Sequence, residues 1–159
     1  MNKKIYDPLD LINKLQEFSP KKVGFTNGCF DIIHIGHVRF LIEVKKFCDI
    51  FIVALNTDDS VKRLKGEKRP IVSLAERSEV VAALQCVDFV TYFSEDTPYN
   101  LISKIKPNLI AKGGDWSREQ IVGSDLVLKN GGKVLSIDYI NGSSTTNIID
   151  KIINLYCND

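Results

Sequence analysis

The stretch Val23-Gly24-Phe25-Thr26-Asn27-Gly28-Cys29-Phe30-Asp31-Ile32-Ile33-His34-Ile35-Gly36-His37 decides how the rest of the chain is read. It begins as a short apolar strand, turns through a loop around Gly28, and enters an amphipathic run marked by Val38, Leu41, Ile42 and Phe47. The chain's two histidines, His34 and His37, stand three residues apart at this strand-to-helix junction. Residues i and i+3 share a helix face, so both imidazoles can touch one group. A helix N-terminus adds unpaired amides and a positive dipole end, which suits phosphate. Spacing alone is equally consistent with two histidines that fell close together. The strand, glycine loop and helix around them point to a nucleotide-phosphate site.

Four further apolar runs lie downstream, and the strands are expected at residues 22–26, 50–56, 88–93, 109–112 and 133–137. They are continuous rather than alternating, as in strands buried on both faces. Helical segments separate them. Asp7 and Pro8 read as the cap and first position of a helix carrying Leu9, Ile12, Leu15 and Phe18, stopped by Pro20. Ser73 with Glu76, and Ser117 with Gln120, have capping-box spacing, and Asn130-Gly131-Gly132 forms a stop. Strands alternating with helices imply right-handed crossovers and a doubly wound, five-stranded parallel sheet in a three-layer α/β/α, Rossmann-like fold. Its ligand crevice belongs beyond the carboxyl ends of the strands. Polar and glycine-rich segments follow there: 27–37, 56–59, 113–116 and 141–146.

With 159 residues and 44% hydrophobic content, the expectation is one domain, with residues 1–20 as an N-terminal helical extension and 21–159 as the body. A net charge of +1 offers no broad attraction to nucleic acid or to an anionic membrane, so any anion site must be local. No apolar run approaches the ~20 residues a bilayer requires, and a cytoplasmic protein is expected. Cys29, Cys48, Cys86 and Cys157 are scattered and read as reduced thiols. Without a Cys-x-x-Cys pair or a third histidine, a protein-held zinc site is not expected.

Several motifs in this order resemble the cytidylyltransferase-like nucleotidyltransferases. They are Thr26-Asn27-Gly28-Cys29-Phe30-Asp31 with His34-x-Gly36-His37, Arg63-Leu64-Lys65-Gly66 with Arg69-Pro70, Glu95-Asp96-Thr97-Pro98, Lys112-Gly113-Gly114-Asp115 and Gly142-x-Ser144-Thr145-Thr146. More narrowly the chain is similar to the adenylyltransferase domain of bacterial ADP-heptose synthases. Glycerol-3-phosphate cytidylyltransferases carry an arginine in the loop before Ser-Thr-Thr, where this chain reads Tyr139-Ile140-Asn141-Gly142.

The resemblance implies transfer of AMP from ATP to D-glycero-β-D-manno-heptose 1-phosphate, with Mg2+ bound through the triphosphate. A separate heptose kinase would supply the acceptor, because the chain has no room for a kinase domain. The alternatives are a related cytidylyltransferase acting on glycerol 3-phosphate or another phosphorylated acceptor, and a non-catalytic nucleotide sensor. His34, His37 and Lys65 are the candidate catalytic residues. Thr26, Asn27, Gly28, Cys29, Phe30, Gly36, Lys112, Gly113, Ser144, Thr145 and Thr146 are the candidate nucleotide contacts. Asp31, Asn56, Asp58, Arg63, Asp115 and Trp116 are the candidate acceptor contacts. The bland readings stand beside these: Ser144 as an ordinary N-cap, the 63–69 charges as solvated surface, and Trp116 as a packing residue. Arg77 reads as structural. Homodimer formation is left open, with the N-terminal helix a candidate docking element.

Overall fold

The computed structural model describes residues 2–18, 21–114, 116–137 and 144–157. Five strands, β1 (Val23–Gly28), β2 (Ile50–Asn56), β3 (Phe89–Phe93), β4 (Leu109–Gly113) and β5 (Lys133–Ile137), form one parallel sheet in the order β3-β2-β1-β4-β5. The helices are α1 (Pro8–Leu15), α2 (Ile35–Lys45), α3 (Asp58–Lys65), α4 (Leu74–Ala82), α5 (Tyr99–Ile105), α6 (Ser124–Lys129) and α7 (Thr145–Tyr156). The chain therefore moves outward from β1 through β2 to β3, then returns to the other side of β1 for β4 and β5. The seam between β1 and β4 is the switch point of the sheet, where a ligand crevice opens beyond the strand ends.

Every residue of β2 is buried, which is why its sequence carries no alternation. Phe51, Val53 and Leu55 face one core, against Phe40, Leu41 and Val44 of α2 and Val81 and Ala82 of α4. Ile50, Ile52 and Ala54 face the other, with Leu11 of α1, Leu101 and Ile102 of α5 and Val127 of α6. These are the three expected layers. Gly24 in β1 is required by close packing, since a Cβ there would lie 2.6 Å from Cys48 Sγ.

The N-terminal segment is built into the domain rather than appended to it. Asp7 caps α1 by accepting from Leu9 N–H, Leu11 is fully buried, and Ile5 bridges to Val90 beside β3. Helix α1 passes into a 3-10 turn at Gln16–Phe18, and Pro20, the expected stop, lies outside the described residues.

Three expectations for helices are corrected. In α2 the buried positions are Gly36, Phe40, Leu41 and Val44, whereas Ile42 and Phe47 are exposed, because the face that meets the sheet is turned from the one inferred. Ser117 starts only the 3-10 helix Arg118–Gln120, not an α-helix. Its N–H donates to Gln120 Oε1 at 3.0 Å over a single 3-10 turn, and α6 begins only at Ser124, behind Gly123 at φ +83°. Helix α7 carries Ile148, Ile149, Ile152 and Ile153 as expected, yet none of its residues is buried, and Ile152 and Ile153 are each nearly half exposed.

The contrast between β2 and α7 predicts opposite responses to truncation. In urea unfolding, Phe51→Ala should cost about 3–5 kcal/mol and Ile152→Ser less than about 0.5 kcal/mol. A loss above about 1 kcal/mol for Ile152→Ser would mean that α7 is packed in solution.

Candidate active site

A cavity of about 800 Å3 opens at the carboxyl end of the β1/β4 seam. Its floor begins with Thr26, whose buried hydroxyl donates to Ala111 O at 2.9 Å and ties the two strands together. Asn27, Gly28, Cys29 and Phe30 continue along the wall. Phe30 adopts φ +46°, an unusual backbone for a side chain of this size, and its ring stands 5.0 Å from that of His37. Gly28 fits beneath that ring, since a Cβ would come within 3.0 Å of Phe30 Cε2.

His34 occupies the N-cap position of α2 and His37 its first turn, which stacks the rings with centroids 3.8 Å apart. Both line the cavity, and both Nδ1 atoms are buried without a hydrogen-bond partner among the described residues. In the Nε2–H tautomer each buried Nδ1 would carry only a lone pair, which leaves no buried donor unsatisfied. Burial, and then the neighbouring His34, push His37 down to about 4, and burial also lowers His34. Both rings are therefore uncharged at neutral pH.

Positive charge comes from elsewhere. Lys112, at the end of β4, lines the cavity and donates from Nζ to Asn27 O and Oδ1, each at 3.1 Å. Burial is the main reason that its pKa falls to about 8. Lys65, the last residue of α3, and Arg69 complete the cationic wall. Burial raises the Cys29 thiol against the pull of Lys65, Arg77, Arg69 and Lys112, which disfavours a thiolate nucleophile. Ser144, Thr145 and Thr146 bring the N-terminus of α7 to the cavity. Ser144 is an N-cap as well, accepting from Asn147 N–H at 3.0 Å, and Thr145 Oγ1 donates to Ile32 O at 3.3 Å. Gly113, Asn56 and Trp116 also line it, and the Trp116 indole N–H is used on Gly113 O at 3.0 Å.

The remaining candidates serve the scaffold or lie off the wall. Asp31 lines the cavity, but its carboxylate accepts from Arg69 Nε at 2.5 Å and from the N–H groups of Ile71 and Val72. Burial raises this carboxyl, the two amides and the guanidinium outweigh burial, and its pKa falls below the usual range. Asp58 is off the lining because it is paired with Arg77 at 2.6 Å. Arg63 binds Asp96 at 2.8 Å and reaches Ser94 O, which turns it away from the cavity. Gly36 is buried within α2, and Asp115 lies outside the described residues.

Arg69 of the basic loop and Asp96, Thr97 and Pro98 of the Glu95–Pro98 motif also line the cavity, as do Gln120, Ile121 and Val122, to which the sequence assigns no role at the site. The loop after β3, marked in the sequence by the Glu95-Asp96-Thr97-Pro98 motif, also obeys the strand-end rule.

The histidine geometry sets a pH dependence. Unfolded histidine binds a proton near its ordinary 6.5 and folded His37 only near 4, so between those values the unfolded chain holds more protons. Stability should therefore rise with pH across this window. Thermal melts from pH 4.5 to 7 should show the rise, and His37→Asn should flatten it. An unchanged slope in the variant would remove the assignment.

Comparison with known proteins now places this geometry. Residues 25–150 match the cytidylyltransferase-like family. The chain is 49% identical over 150 residues to the bifunctional protein HldE of Geobacter metallireducens, covering 94% of this chain and 31% of that protein. It is 55% identical over 130 residues to the HldE of Nitrobacter winogradskyi, covering 82% and 27%. The chain thus spans about a third of the length of these relatives. Among solved structures, a lipopolysaccharide core biosynthesis protein from Thermoplasma volcanium superposes with a TM-score of 0.60 at 27% identity, over 77% of this chain and 99% of that one. A pantoate-beta-alanine ligase from Francisella tularensis, at 16% identity and a TM-score of 0.62, covers 98% and 79% and shares the fold. With its paired histidines, cationic wall and helix N-terminus around one cavity, the chain belongs to the cytidylyltransferase-like family of nucleotidyltransferases.

Proposed function

We propose that the protein transfers AMP from ATP to D-glycero-β-D-manno-heptose 1-phosphate, giving ADP-heptose and pyrophosphate. The observation that carries nucleotidyl transfer is the convergence of His34, His37, Lys65, Lys112 and the α7 N-terminus on one cavity at the switch point. The choice of acceptor is supported by the motif order and by similarity to HldE proteins and to a lipopolysaccharide core biosynthesis protein.

A phosphate oxygen of the acceptor attacks the α-phosphorus, the bond from that phosphorus to the bridging oxygen breaks, and pyrophosphate leaves in line. A sugar phosphate with a second pKa near 6 is largely dianionic at neutral pH, so its attacking oxygen needs no proton removed. This fits a site whose histidines are poor bases. What remains is alignment and stabilisation of charge on the phosphates. The His34 and His37 Nε2–H groups suit the α- and β-phosphate oxygens, with Lys65 at the mouth and Ser144 to Thr146 toward the leaving group.

Mg2+ would shield the charge of the triphosphate. The two aspartates on the cavity wall, Asp31 and Asp96, are each engaged by an arginine. No group of three metal-ligating side chains occurs among the described residues. These residues fit a cation carried in by the phosphates, and Asn27 and Thr145, which line the cavity, would be neutral oxygen donors to help hold it.

The test is pyrophosphate release with Mg2+, crossing ATP and CTP against heptose 1-phosphate and glycerol 3-phosphate. Release is expected with ATP and the heptose phosphate, and His37→Ala should lower kcat on the order of 10²–10³-fold. Release with CTP or glycerol 3-phosphate instead would replace the substrate assignment. Nucleotide binding without release under any pair would indicate a sensor.

A further inference from the structure

Lys112 is a lysine in an unusual position. It is partly buried at the end of β4 and lines the cavity, its ammonium has two neutral acceptors in Asn27, and no carboxylate pairs with it among the described residues. The two aspartates on the same cavity wall are unavailable, since Asp31 is held by Arg69 and Asp96 by Arg63. An ammonium partly withdrawn from water without a counter-ion is disfavoured, and a protein relieves this by releasing the proton or by admitting an anion.

We propose that the bound phosphates are the counter-ion of Lys112, and that loading the cavity with nucleotide draws a proton from solvent onto its Nζ. The proposal rests on the nucleotidyl-transfer reading and adds to it a proton that enters with the substrate. No covalent bond changes: the buffer loses a proton and the amine gains one. In the empty site burial holds the amine near 8, and the positive charge of Lys65 also disfavours its protonation. A polyanion lying across the β1/β4 seam reverses both influences. Affinity for nucleotide should then decline as the pH rises through 8, by up to about tenfold for each unit.

The groups facing Lys112 define the competing sources of a proton. From the end of β1 and the loop after it they are Asn27, which does not titrate, and Cys29, a partly buried thiol whose own proton equilibrium an anion would shift in the same direction. From α3 it is Lys65. The histidines of the cavity are neutral and far from titrating at pH 8, and the nearby Asp31 and Arg69 form a closed pair. Cys29 is therefore the rival that the experiment must separate.

The measurement is calorimetric titration of the full chain with Mg2+-ATP, without acceptor, at pH 8.0 in Tris and in HEPES, whose ionisation heats differ. ATP is fully deprotonated there, so its own titration drops out. The wild type should take up a measurable fraction of a proton at pH 8.0 and clearly less at pH 6.5. Lys112→Arg, a permanent cation, should bind with no uptake, and Lys112→Met should bind at least about tenfold more weakly, also with no uptake. Cys29→Ser should retain the uptake. Wild-type binding without uptake overturns the proposal, as does uptake that survives Lys112→Arg or vanishes in Cys29→Ser. Failure of both ATP and pyrophosphate to bind would instead remove the nucleotidyl-transfer reading, and this proposal with it.

Discussion

A guanidinium buried to 1% exposure stands behind the cavity and holds its loops in register. Arg77, on α4, donates to Cys29 O in the loop after β1, to Asn56 O at the end of β2, to Val72 O before α4 and to Asp58 at the start of α3. Three stretches of chain, at residues 29, 56–58 and 72–77, thus share one planar cation. Only arginine presents enough donors in a rigid fork to satisfy acceptors in so many directions, and burying its charge is tolerable because each donor group has a partner. Asp31 is the reciprocal device: a buried carboxylate that gathers Arg69 and the Ile71 and Val72 amides, fastening the basic loop to the segment that leads into the histidines. Removing either partner of such a contact would leave a buried charge or carbonyl unanswered, which costs more than the contact itself contributes.

These clamps explain how a chain with a net charge of +1 maintains a strongly cationic pocket. The aspartates near the cavity are neutralised by Arg69, Arg77 and Arg63, while Lys65 and Lys112 have no ion pair among the described residues. The histidines add donors without adding charge, because burial and their 3.8 Å separation keep both rings neutral. The surface carries both signs in balance, so the attraction for a polyanion is confined to the switch point of the sheet.

Helix α7 shows how far periodicity reaches. Its isoleucines do recur on one side, and its N-terminal Ser144 does cap it, as the residue types imply. Periodicity states which side chains share a face; it does not state that another element of the chain meets that face, and in α7 none of them is buried. In α2 the same uncertainty appears as a rotation: Leu41 is buried with Phe40 and Val44, while Ile42 and Phe47 point outward.

The sequence by itself determined the alternation of strands and helices, the burial of β2 on both faces, the His34/His37 junction and the strand-end loops as the place of the site. These follow from local facts: residue type, period, capping chemistry and the handedness of crossovers. Only the tertiary structure decided the partners of the charged groups. Asp58 and Arg63 have the composition of ligand-binding residues, yet long-range pairing assigns them to Arg77 and Asp96, and Arg69 enters the cavity because Asp31, 38 positions earlier, holds it there. The state of Lys112 was likewise settled by depth, since a lysine's charge depends on the carboxylates and water within reach, and those are brought together or excluded only when the chain folds.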